Sequence, residues 1–261
     1  MAKQDLFKGT AKYYSQYRRP YPKKLFEWII LRSHPGEKKG RYLDLGCGTG
    51  ELTLPFSKYF REVVAVDVDR EMLREGKRKA RQLGTKNILW LNSATENLTA
   101  ELGKFDLITI GSAFHWMDQK RVLGKTRKLL GDNGWLAIIG GNIWWSDKEK
   151  WKKKIFEVIK KYLGERRRAG AGYYEPPKKL FEELLAGAGF EKVLRREFPI
   201  KHAWTIAAII GLMYSTSFAS KRLFGREAEQ FESDLARSLL ALNPKRRFID
   251  KHRFYVLLAH K

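Results

Sequence analysis

The 261-residue chain carries 52 Lys and Arg against 29 Asp and Glu, a formal net charge of +23, with 43% hydrophobic and 13% aromatic residues. A chain of this size and apolar content can bury a full core, which excludes a disordered protein, and its single cysteine, Cys47, excludes an internal disulfide framework and any multi-cysteine metal centre. Its longest apolar stretches, such as 204–213, are too short to span a bilayer, and the first residues lack the apolar run of a secretory signal, so a cytoplasmic protein with no membrane span and no metal is expected.

Residues 1–40 are aromatic and basic, and Pro20 and Pro22 mark a turn between two helices. From residue 41 short apolar runs alternate with helical patterns. Strands are predicted at 42–45, 63–68, 88–91, 105–110 and 135–139, with helices at 52–59, 70–83 and 119–130 between them. Farther on, helices are predicted at 151–163, 177–188, 203–213 and 227–242, and strands at 190–199 and 253–259. Buried strands spaced by helices imply βαβ units, and right-handed crossovers place helices on both faces. The expectation is an α/β fold, a doubly wound and mostly parallel seven-stranded sheet. Its core is expected to comprise 41–142, 181–204 and 247–261. The stretches 143–180 and 205–246 exceed what simple sheet connections need and read as helical lid insertions near the ligand crevice.

The positive excess is spread along the chain, with local clusters at 152–154, 166–168 and 245–247. Solvated helix faces account for it; an anionic small substrate, RNA or an acidic membrane surface are the functional alternatives.

The sharpest signal is Leu43-Asp44-Leu45-Gly46-Cys47-Gly48-Thr49-Gly50-Glu51, between a predicted strand and a predicted helix. Glycines there permit a tight turn and close approach of a ligand to the backbone. The spacing is Gly-x-Gly-x-Gly. A dinucleotide fingerprint needs Gly-x-Gly-x-x-Gly, and its third glycine is Glu51 here, a carboxylate that would repel phosphate at a helix start. Asp67 closes the second predicted strand and is placed to accept from two ribose hydroxyls, while Asp69 is assigned to cap the next helix.

Together these residues resemble class I S-adenosylmethionine-dependent methyltransferases, which have a Rossmann-like fold. The glycine turn is similar to that family's first motif, and Asp67 to its ribose-binding acid. The run Ser93-Ala94-Thr95-Glu96-Asn97-Leu98 is similar to its adenine-flanking region, with Ala94 where an Asp is usual. The stretch Ala113-Phe114-His115-Trp116, and the entry Tyr14, Arg18, Tyr21-Pro22, resemble the type 11, trans-aconitate-methyltransferase-like branch, with Arg19 replacing a Pro. The resemblance implies S-adenosylmethionine as cofactor and S-adenosylhomocysteine as product, with residues 1–40 as a helical cover. The cofactor-binding set it implies is Tyr14, Arg18, Gly46, Cys47, Gly48, Gly50, Asp67, Val68, Ala94, Thr95, Glu96 and Ser112.

Methyl transfer is an in-line displacement, so alignment and water exclusion dominate the protein's task. His115 is the candidate catalytic residue, either as a proton acceptor or as a wall of the pocket. His115, Trp116, Trp144 and Tyr214 are the candidate substrate contacts. Cys47 reads as a small packing residue. The expected activity is methylation of a small molecule, with a carboxylate or other anionic acceptor. The alternatives are an RNA-directed methyltransferase, favoured by charge, and a non-catalytic nucleotide-binding regulator. Against nucleic acid, Ser112-Ala113-Phe114-His115 stands where amino-methylating enzymes carry an Asp/Asn-Pro-Pro-aromatic run.

Overall fold

A computed structural model describes residues 5–33, 40–141, 149–170, 172–176 and 179–261. In chain order the elements are α1 (Ala11–Tyr17), α2 (Lys23–Ser33), β1 (Arg41–Leu45), α3 (Thr53–Ser57), β2 (Glu62–Asp67), α4 (Arg70–Gln82), β3 (Ile88–Asn92), β4 (Phe105–Gly111), α5 (Gln119–Leu129) and β5 (Leu130–Gly141). There follow α6 (Lys150–Leu163), β6 (Arg168–Ala169), β7 (Gly172–Tyr173), α7 (Phe181–Gly187), β8 (Lys192–Thr205), α8 (Ile206–Tyr214), α9 (Lys221–Phe224), α10 (Ala228–Leu242) and β9 (Arg247–His260).

The chain divides into two compact units. One comprises 1–19, 142–175 and 199–252; the other comprises 20–141, 176–198 and 253–261. The expected cover, 1–40, is thus shared between them, with α1 in one unit and α2 in the other.

The second unit carries the seven-stranded sheet, in the order β3-β2-β1-β4-β5-β9-β8. β3, β2, β1, β4 and β5 are mutually parallel, and β9 runs antiparallel to β5. The sheet is therefore mostly parallel and doubly wound. Val63, Val64, Ala65 and Val66 are all buried, as a strand covered on both faces requires. Leu43, Leu45, Val64, Val66, Ile108, Ile110, Leu136 and Leu257 join one core with Val122 and Leu123 of α5 and Leu185 of α7. α4 begins where the Asp69 carboxylate accepts from the N–H groups of Glu71 and Met72. The capping role assigned to Asp69 is therefore met in the geometry, and the Asp67 carboxylate takes no part in that cap.

The first unit is helical. Its core gathers Ile155 and Ile159 of α6, Leu212 and Tyr214 of α8, and Phe231 and Leu235 of α10. The rings of Phe224 and Phe231 stack with centroids 4.0 Å apart. α1 approaches α8 closely because Gly211 has no Cβ; one there would lie 2.3 Å from the Tyr17 ring. Among the described residues no helix is long and apolar enough to cross a membrane.

Candidate active site

The site of the second unit is built at the carboxyl ends of β1, β2 and β4, where open α/β sheets bind ligands. After β1 the backbone enters the left-handed region three times, at Gly46 (φ 66°), Gly48 (φ 55°) and Gly50 (φ 90°). Gly46 faces the loop after β4, since a Cβ on it would lie 2.7 Å from Ala113 Cβ and 3.1 Å from Met117 Cε.

The N–H groups of this turn are largely used within the protein. Cys47 N–H donates to the Val66 carbonyl (3.0 Å), Gly48 N–H to Asp67 Oδ2 (2.8 Å) and Gly50 N–H to the Cys47 carbonyl (3.0 Å). A phosphate cradle needs such amides aimed at the ligand. The charge of Glu51 is a weaker argument against phosphate than its position suggested. Its carboxylate is paired with Lys79 Nζ at 2.9 Å and also accepts from the Thr49 hydroxyl.

Asp67 accepts from Gly48 N–H and, through Oδ1, from Asp69 N–H at 2.9 Å. Burial pushes its pKa up to about 6 against the pull of those amides. Beneath the turn lies a second carboxylate, Asp44, which is 1% exposed. It accepts from the hydroxyls of Thr53 (2.6 Å) and Thr109 (2.7 Å), and Thr109 also pairs with the Tyr42 hydroxyl at 2.6 Å. Burial raises Asp44 to about 7, with Glu51 and Asp67 pushing the same way against the two threonine hydrogen bonds. With Glu51 offset by Lys79 and Asp44 titrating near 7, Asp67 is the carboxylate that stands ionised beside the turn at neutral pH, and it suits a cofactor that is cationic and carries no phosphate. Cys47 packs against Ala65 and Leu73, and its burial beside these carboxylates raises its thiol well above the ordinary range. That environment disfavours a thiolate nucleophile.

Neither Asp44 nor Tyr21 stands out as a site residue in the sequence: Asp44 shows only as a carboxylate inside an apolar strand, and Tyr21 only as part of the entry motif.

The end of β3 is tied to the end of β2. Asn92 Nδ2 donates to the carbonyls of Asp67 (3.0 Å) and Val68 (2.9 Å), and Ser93 N–H donates to the Asp67 carbonyl (3.1 Å). Ala94 then precedes a single 3-10 turn, 95–97, in which Thr95 is buried. Glu96 Oε1 accepts from Asp118 N–H at 3.0 Å and so joins this loop to the one after β4. Ser112, just past β4, has φ 52° and hydrogen-bonds through its hydroxyl with that of Tyr21 (3.3 Å). His115 and Trp116 lie in a 3-10 turn, 114–116, with their rings 4.6 Å apart. The turn is anchored by Phe114, buried against the Phe181 ring at 4.9 Å.

The second unit therefore brings together Gly46, Cys47, Gly48, Gly50, Asp67, Val68, Ala94, Thr95, Glu96, Ser112, His115 and Trp116. Tyr14 and Arg18 belong to the first unit. There the Arg18 guanidinium lies 4.5 Å from the Tyr14 ring centroid and donates to the Ser215 carbonyl at 2.9 Å. Tyr214 is a correction. It is 1% exposed, and its hydroxyl hydrogen-bonds with Glu232 (2.9 Å) and the Ala228 carbonyl (3.2 Å), which makes it a core residue. The neighbouring Ser215 and Thr216 hydroxyls donate to the Leu212 and Met213 carbonyls at the end of α8. They end the helix and are not free to present themselves to a ligand. Trp144 lies outside the described residues.

A sheet of this order, with one antiparallel strand beside β5 and a glycine turn whose amides are turned inward, defines a class I methyltransferase fold. Residues 43–136 match the methyltransferase domain family, so the chain carries a methyltransferase domain, for which S-adenosylmethionine is the cofactor. It is similar to a putative methyltransferase of Dictyostelium discoideum, 26% identical over 220 residues that cover 82% of this chain and 77% of that protein. An uncharacterized methyltransferase of Schizosaccharomyces pombe is 28% identical over 236 residues, 88% of this chain and 85% of that one. Among solved structures, the YcgJ protein of Bacillus subtilis superposes with a TM-score of 0.58 at 14% identity, covering 91% of this chain and 97% of its own. A Haemonchus contortus phosphoethanolamine N-methyltransferase 2, complexed with phosphomonomethylethanolamine and S-adenosylhomocysteine, superposes with a TM-score of 0.59 at 14% identity, covering 100% of this chain and 60% of its own.

Proposed function

We propose that the chain transfers the methyl group of S-adenosylmethionine to a small-molecule acceptor bearing a carboxylate or another anionic group. The observation that carries the cofactor assignment is the glycine turn whose Cys47, Gly48 and Gly50 amides are hydrogen-bonded internally, set among the carboxylates of Asp44, Glu51 and Asp67. Bound there, S-adenosylmethionine supplies an electrophilic sulfonium methyl. Asp67 holds the ribose hydroxyls. Ala94, Thr95 and Glu96 flank the adenine, and Ser112 bounds the methionine end. His115 accepts a proton where the acceptor needs one removed, and Trp116 beside it excludes water.

Two supports favour a small acceptor. The loop after β4 carries Ser112-Ala113-Phe114-His115 in place of an Asp/Asn-Pro-Pro-aromatic run. The Haemonchus structure holds a small phosphate-bearing acceptor on a similar fold. The resemblance to the trans-aconitate-methyltransferase-like branch favours an anionic one.

The test is a transfer screen with methyl-labelled cofactor against small acids, amines, phenols and RNA. Label moving to small acids is the expected result; label confined to RNA overturns the small-molecule assignment. His115→Asn is expected to depress turnover more than cofactor affinity, and unchanged turnover would retire its proton-transfer role.

Asp67→Ala is expected to weaken S-adenosylhomocysteine binding in calorimetry by about 1.5–3 kcal/mol, the range for hydrogen bonds to a charged group. Affinity should also rise with pH through about 6 as Asp67 ionises, because its carboxylate is the stronger hydrogen-bond acceptor. Asp67→Asn should abolish that step. An unaltered pH profile in the Asn variant would remove Asp67 from the ribose role.

A further inference from the structure

Ser112 is one of two described non-glycine residues in the left-handed region, at φ 52°. A side chain there costs roughly 1–2 kcal/mol, so the surroundings must hold it. Two contacts do so. Ser112 N–H donates to the Ile139 carbonyl of β5 at 2.7 Å, and Ser112 Oγ lies 3.3 Å from the Tyr21 hydroxyl, with either group able to donate.

Tyr21 is itself well fixed. Its ring packs against Phe254 with centroids 4.7 Å apart, and edge-on to Phe26 at 6.4 Å. The hydroxyl lies over the preceding residue as well. A Cβ on Gly111 would lie 3.2 Å from it and 2.5 Å from Leu52 Cδ1. The Tyr21 hydroxyl thus sits over the Gly111–Ser112 segment where β4 ends, beside a residue of the glycine turn's exit. This is the position at which such sheets present backbone groups to a ligand.

We propose that Tyr21 is a cofactor-positioning residue. Through its hydroxyl it holds Ser112 in the strained conformation that sets the backbone at the end of β4 for S-adenosylmethionine. The proposal rests on the cofactor reading above. Tyr21→Phe removes the hydroxyl and keeps the ring between Phe254 and Phe26. Ser112→Ala removes the other half of the hydrogen bond.

The experiment is a double-mutant cycle on S-adenosylhomocysteine affinity, with urea unfolding of each variant as a control. Each single variant is expected to weaken binding about threefold to tenfold, the net range for one neutral hydrogen bond. The double variant should bind no more weakly than either single one, because both remove the same bond. Denaturation midpoints should stay together, since a merely structural role would move stability and not this coupling. Losses that multiply in the double variant, or a Tyr21→Phe protein with wild-type affinity, overturn the proposal alone. A wild-type protein that does not bind S-adenosylhomocysteine overturns the cofactor reading and this proposal with it.

Discussion

An Asp250→Ala variant is expected to lose about 3–5 kcal/mol of unfolding free energy, the cost of stranding buried charges. Asp250 is fully buried in the first unit and is held by three donors. Arg19 Nε lies 2.6 Å away, Lys152 Nζ 2.8 Å and Trp204 Nε1 3.4 Å. Lys152 is 1% exposed and also lies 3.4 Å from Glu149. Removing Asp250 takes away the carboxylate that Arg19 and Lys152 share. Lys152→Met is expected to cost less, because Asp250 keeps Arg19 and the new side chain is apolar.

The pH dependence gives a second check. Burial alone would raise the Asp250 pKa, but Arg19 and Lys152 outweigh it and hold the value below the ordinary aspartate range. Stability from a lowered carboxylate is complete above the unfolded value, about 3.9, and is lost as pH falls through the folded one. Wild-type stability should therefore fall more steeply below pH 4 than that of Asp250→Ala. Urea unfolding across pH 2–7 measures both effects, and a loss under about 1 kcal/mol at pH 7 would show the cluster to be dispensable.

The same cluster shows where reading the chain alone stops. Arg19 and Asp250 are 231 residues apart in sequence, so nothing local announces their pairing. Asp250 also hid half of a strand. β9 alternates buried and exposed positions from Arg247 onward, but two of its inward residues are Asp250 and His252, and an apolar alternation does not register through them. Only the later part, 253–259, with its apolar run from Phe254 to Ala259, was legible. β5 begins at Leu130 and not at residue 135 because its start runs through Gly131, Asp132, Asn133 and Gly134, where the register against β4 shifts. β8 extends to Thr205, so that α8 starts at Ile206 and not at residue 203 as expected. α3 is shorter than the expected 52–59 helix, and the expected 177–188 helix is described only as 181–187. By contrast, β1, β2 and β4 were legible because buried parallel strands are written as continuous apolar runs, and β3, at the sheet edge and only half-buried, was legible from the apolar run of Ile88 to Leu91. The site followed the same division. The glycine turn and Asp67 were readable from local spacing, whereas the Tyr21–Ser112 contact joins segments 91 residues apart.

Gly46→Ala is expected to cost about 2–5 kcal/mol of stability and to remove S-adenosylhomocysteine binding, and a matched glycine separates the causes. Gly46 and Gly84 share φ 66°, so an alanine at either pays the left-handed penalty of roughly 1–2 kcal/mol. At Gly84, which follows α4, a new Cβ meets nothing within 4 Å. At Gly46 it meets Ala113 Cβ at 2.7 Å and Met117 Cε at 3.1 Å. Met117 is flexible and can give way. Ala113 Cβ can move only with its backbone, which lies between Ser112 and the 114–116 turn that carries His115. Overpacking of this kind adds about 1–3 kcal/mol, and the displacement falls on the loop assigned to the methyl-transfer position. Gly84→Ala should therefore pay the backbone penalty and bind S-adenosylhomocysteine as the wild type does. Gly46→Ala should pay both terms and lose binding even at temperatures where it remains folded by circular dichroism. Equal stability losses in the two variants, with binding intact in both, would show that the turn and the loop after β4 are not in the close contact on which the cofactor site depends.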